Sequence, residues 1–121
     1  MNGNFSFDQA VYDELGAELG SADMAEVLNV FLADTADRVA RLEAGHLTRS
    51  ASKREVHSIK SSAATFGFMD LSRLAIEIEA AVETMAPATL EDRICSLRRA
   101  FDSTRQFALD NLMNPDRGAT T

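Results

Sequence analysis

Apolar residues recur every three or four positions along four long stretches of this chain, and no stretch alternates with period two. That spacing is the period of an amphipathic helix and argues against half-buried strands. The stripes are Met24, Val27, Leu28, Phe31, Thr35, Val39 and Leu42; then Val56, Ile59, Ala63 and Phe66; then Leu71, Leu74, Ile78, Val82 and Met85; then Leu90, Ile94, Leu97, Phe101, Thr104, Ala108 and Leu112. A shorter segment over residues 8–19 carries Val11, Leu15 and Leu19 on one side. Four long amphipathic helices with short connections predict an all-α fold, an antiparallel four-helix bundle with an additional short N-terminal helix.

The breaks between stripes have their own signals. Gly20 stops the first segment, and Ser21 is placed to cap the second. Gly45 and Gly67 stand where the second and third stripes end. Asp70 is placed to cap the fourth helix, Pro87 to close it, and the fifth begins near Thr89. The expected organisation is one domain over residues 1–121, with a helical core over 8–114 and a flexible tail over 115–121.

Composition narrows the function. The chain has 121 residues, 45% hydrophobic and 26% charged, which is the balance of a soluble globular protein with a real core. No apolar run approaches the roughly 20 residues of a membrane helix. The start, Met1-Asn2-Gly3-Asn4-Phe5, lacks the basic and apolar regions of a signal peptide, so a cytoplasmic monomer is expected. A formal net charge of -7 repels phosphate backbones and anionic membranes, which sets aside nucleic acid and lipid as partners.

Several chemistries are missing. Two histidines, His46 and His57, and one cysteine, Cys95, provide no zinc-type ligand spacing. Cys95 falls within a helical pattern and reads as a buried, inert thiol. His46 reads as a residue at a helix C-terminus. Glycines do not cluster into a phosphate-cradling loop, and Ser58, Ser61 and Ser62 near His57 come with no strained nucleophile turn.

His57 remains. At about 100° per residue it points roughly 140° from the middle of the stripe formed by Val56, Ile59, Ala63 and Phe66, hence toward solvent. Lys60 lies one turn on. Ser61 and Ala64 keep the surface around the ring low, so a partner could approach closely. By position alone an idle surface histidine and a reactive one both fit.

The run His57-Ser58-Ile59-Lys60-Ser61-Ser62-Ala63-Ala64-Thr65-Phe66-Gly67-Phe68, followed by Leu71, resembles the signature of histidine phosphotransfer (HPt) domains. It is similar also to the phosphoacceptor domain of chemotaxis-type histidine kinases. The five-helix layout extends the likeness over most of the chain. The resemblance implies a phosphocarrier in a two-component phosphorelay, without kinase activity of its own. His57 would accept a phosphoryl group on Nε2 from a receiver-domain aspartate and pass it to another. Lys60 would offset the phosphoryl charge. Lys53, Ser58, Ser61, Ala64 and Gly67 would belong to the docking region, flanked by Val11, Leu15 and Ile76, although Ile76 also reads as a residue packed on the first helix.

No cofactor is expected on this chain, and the Mg²⁺ would sit on the partner receiver. One departure is visible: the residue after the lysine, most often Gly in the family, is Ser61. In the similar chemotaxis domain a glutamate placed like Glu79 hydrogen-bonds the imidazole. Here sequence leaves Glu79 as either that partner or an ordinary exposed glutamate. Two other readings stay open: a phosphoacceptor domain of a larger histidine kinase, and a bundle that only docks on receivers.

Overall fold

Helix ends and helix faces together set the architecture. The computed structural model describes residues 6–113. Five helices succeed one another: α1 (Gln9–Leu19), α2 (Ser21–Ala44), α3 (Arg49–Phe66), α4 (Met69–Ala81) and α5 (Pro87–Asn111). Helices α2, α3, α4 and α5 close a ring of contacts, each packed on its chain neighbour and α5 back on α2, while α1 lies on α2 and α3. The expected tail over 115–121 lies outside the described residues.

The apolar stripes are what the ring buries. Leu28, Val39, Val56, Ile59, Ala63, Leu71, Val82, Leu97, Phe101 and Ala108 are wholly enclosed. Leu74 and Met85, expected on the inner face of the fourth helix, are only partly covered, and Ala75 takes a buried place there. Cys95 is exposed rather than buried. It comes directly after Ile94, and a step of about 100° carries it off the stripe of Ile94, Leu97 and Phe101.

The caps differ from expectation at three places. Gly20, not Ser21, precedes α2, and Ser21 is already its first residue. Phe68 precedes α4, and Asp70 sits in its first turn, accepting from the Ser6 amide at 2.7 Å and from Arg73 at 3.1 Å. Pro87 opens α5 instead of closing α4, which suits a residue whose missing N–H has no helical partner in the first turn. Gly45, with φ 76°, ends α2 where the second stripe stops, and His46 follows it directly. The end of α4 is served from a distance: Arg49 Nη1 donates to the carbonyls of Val82 and Met85, each at 2.6 Å. Those carbonyls would otherwise lack helical donors.

The N-terminal segment is tied to the junction of α3 and α4. Asp8 N donates to Gly67 O at 2.8 Å and Met69 N to Ser6 O at 3.1 Å, around an antiparallel bridge between Phe7 and Phe68. The Phe7 ring meets Phe68, Tyr12 and Phe107 with centroids 5.5, 5.6 and 4.7 Å away. Gly67 makes this possible. Its φ is +86°, and a Cβ there would lie 2.5 Å from Asp8 O.

Candidate functional site

Helix α3 turns Ser52, Val56, Ile59, Ala63 and Phe66 inward. His57, one step around from Val56, is thereby turned outward, with 56% of its side chain exposed. Helix α4 packs beside α3, anchored by buried Leu71, Ala75 and Ile78 and by Val82 just past its end. Glu79 is next after Ile78, and the step carries it to the edge of α4 that faces the outer side of α3. Ser72 adds a tie between the helices, its hydroxyl donating to Lys60 O at 3.3 Å.

The result is a three-residue network. Glu79 Oε2 lies 2.7 Å from His57 Nδ1, and Glu79 Oε1 accepts from Lys60 Nζ at 2.7 Å. The Lys60 bond holds the Glu79 carboxyl below the ordinary carboxylate range; burial works against it and the His57 bond adds to it. An ionised carboxylate only accepts. Nδ1 must therefore carry the proton, and in the neutral ring Nε2 keeps its lone pair. Glu79 is only 20% exposed, so its two bonds are formed at the edge of the packed interface, whereas the far edge of the imidazole meets solvent.

Around the ring, Ser61 and Ala64 are exposed and Ser58 is half-buried. Lys53 is half-exposed and sits 3.4 Å from Glu83. A hollow of about 400 Å³ borders His57, lined by Ser50, Lys53, Arg54, His57, Ser58 and Glu79. Ile76, one turn before Glu79, is 49% exposed, which corrects the expectation that it packs on the first helix. Val11 and Leu15 of α1 are half-buried. Gly67 leaves the docking set: it is buried against the Asp8 backbone and serves the fold.

Ser50 and Arg54 are additions that the sequence motif did not point to. A signal for them exists, because helical side chains lean toward the N-terminal end of their helix. The neighbours of an outward ring therefore include residues upstream of it, not only Lys60, Ser61 and Ala64 downstream. Among the described residues, no group of three or more His, Cys, Asp or Glu side chains could hold a metal ion, and no helix is long and apolar enough to cross a membrane.

No curated protein and no solved structure matches the chain. The family model described as the Hpt domain matches residues 26–113, from the first turns of α2 through the end of α5. That span holds the ring of four helices and the whole His57, Lys60 and Glu79 network, and leaves α1 before it. The helical bundle, the outward histidine and the matched span agree, and the chain belongs to the Hpt domain family.

Proposed function

We propose that this protein relays a phosphoryl group between receiver-domain aspartates, carrying it on Nε2 of His57. Membership of the Hpt family supports phosphotransfer in a phosphorelay, by a carrier rather than an enzyme. The observation that carries the choice of atom is the 2.7 Å bond between His57 Nδ1 and Glu79, which commits the ring to one tautomer and leaves Nε2 facing solvent.

In the accepting step the Nε2 lone pair forms an N–P bond as the P–O bond to the receiver's aspartate breaks and the carboxylate leaves. The proton on Nδ1 stays in place, so the ring becomes cationic. Glu79 stands ready to stabilise that charge without moving, which is worth most in the transition state. Lys60 adds positive potential one turn along the helix. Passing the group on reverses these events at a second receiver. The receiver brings its own Mg²⁺, and this chain contributes positioning and charge.

Docking uses Lys53, Ser58, Ser61 and Ala64 around the ring, with Ile76 as an exposed apolar contact. The same reading includes an antiparallel arrangement of α2 to α5 and a cytoplasmic monomer. A second reading, the phosphoacceptor domain of a larger histidine kinase, is favoured by the carboxylate partner of His57, since the similar chemotaxis domain uses a glutamate there. It differs in the donor, which would be ATP through a separate kinase domain.

Incubation with a phosphorylated receiver should place one acid-labile, alkali-stable phosphoryl group on the wild type and none on His57→Gln. Equal labelling of both would rule the reading out.

A further inference from the structure

The phosphocarrier reading names the atom that is phosphorylated but not where the phosphoryl oxygens lie, and any location assigned to them rests on that reading. Lys60 is already engaged: its Nζ is 2.7 Å from Glu79 Oε1 and its side chain is 28% exposed. The open space beside the imidazole lies the other way. Its lining includes Ser50, Lys53 and Arg54 but neither Lys60 nor Ser61. Because helical side chains lean toward the helix N-terminus, the His57 ring is carried over the turn of Lys53 and Arg54.

Both cations are loosely held. Lys53 Nζ is 3.4 Å from Glu83 Oε1, with side chains 43% and 60% exposed. Arg54 Nη1 is 3.3 Å from the neutral Ser50 hydroxyl. Exposed contacts of this kind are weak, so redirecting both cations to a doubly charged group costs little. The Lys60–Glu79 pair is shorter and more covered, and breaking it would take away the cation that holds the other oxygen of the carboxylate bonded to the ring.

We propose that the hollow on the N-terminal side of His57 is the phosphoryl pocket, in which Lys53 and Arg54 meet the phosphoryl oxygens and Ser50 donates a hydrogen bond, while Lys60 acts as a positioning residue through Glu79. The charged groups bordering the phosphoryl group are then Lys53, Arg54 and Lys60 from α3, Glu79 from α4, and Glu83 from the turn that follows α4.

Phosphoramidate tests this without a receiver. Nε2 attacks phosphorus, the P–N bond breaks, and ammonia leaves. The ³¹P resonance of phospho-His57, identified by its absence in His57→Gln, is then tracked against pH. Removing two nearby cations disfavours the dianion. The Lys53→Met, Arg54→Met double variant should raise the second ionisation of the phosphoryl group by about half a pH unit, roughly threefold in proton affinity. Lys53→Arg should titrate like the wild type, and Lys60→Met should shift less than the double variant. A folded double variant whose phospho-His57 titrates like the wild type would overturn the pocket while leaving the carrier intact. A wild type that takes no phosphoryl group on His57 would overturn the carrier reading and the pocket with it.

Discussion

Replacing Glu79 with Ala is expected to slow phosphoryl acceptance by His57 by about 10- to 100-fold, equivalent to about 1.4–2.7 kcal/mol of barrier. The substitution removes the acceptor 2.7 Å from Nδ1 and the counter-charge 2.7 Å from Lys60 together. The ring then exchanges between tautomers and orientations, and Lys60 faces a ring that must turn cationic. Glu79→Gln separates the two contributions. Its amide oxygen can still accept from Nδ1–H, so the tautomer is kept while the charge is lost. Its rate should fall between wild type and Glu79→Ala. The check is single-turnover transfer from a phosphorylated receiver, paired with ¹⁵N spectra of His57 that report the protonated nitrogen. A Glu79→Ala protein with wild-type rate and an unchanged Nδ1–H tautomer would show that the carboxylate is a bystander.

The largest effect on stability is expected at Gly67. Gly67→Ala places a Cβ 2.5 Å from Asp8 O at a residue with φ +86°. The left-handed backbone costs an L-residue about 1–2 kcal/mol, and the contact with backbone cannot be relieved by a flexible side chain. The segment of Ser6 to Asp8 must shift, loosening the Phe7 contacts with Phe68 and Phe107. The combined loss should be about 2–4 kcal/mol, or about 10 °C in melting temperature for a domain of this size. Gly45→Ala is the control. Gly45 has φ +76° but nothing within 4 Å of its Cβ position, so only the same backbone cost of about 1–2 kcal/mol applies. Equal melting temperatures for the two variants would mean that the pairing with Asp8 contributes nothing.

These two residues mark what sequence could and could not supply. The helical period of Val56, Ile59, Ala63 and Phe66 is enough to turn His57 outward, because burial of one face determines where every other residue on a helix points. The same logic places most of the core. It fails where single steps of about 100° decide between covered and exposed, as at Cys95 and Ile76. The caps at Ser21, Asp70 and Pro87 differ from expectation because several polar or restrictive residues adjoin each break, and tertiary contacts choose among them. Asp70, for instance, is drawn to the Ser6 amide.

Contacts between distant segments are invisible for a different reason. The Phe7–Phe68 bridge, the grasp of Arg49 on α4 and the bond between Glu79 and His57 depend on how helices dock, which periodicity within one helix does not encode. For Glu79 the family resemblance supplied a candidate, and the geometry brought its carboxylate to the ring. For Ser50 and Arg54 the lean of helical side chains points upstream of His57, whereas the family motif lies downstream of it.

Exchange of a phosphoryl group between His57 and receiver aspartates underlies every functional expectation above. A phosphotransfer profile of the purified protein against the receivers of its own genome measures it without an intermediary. At least one phosphorylated receiver should label the wild type, the label should then move to a second receiver, and His57→Gln should do neither. Receivers that bind the protein and its His57→Ala variant equally well, with no phosphoryl group passing to or from the wild type, would contradict a carrier role for His57.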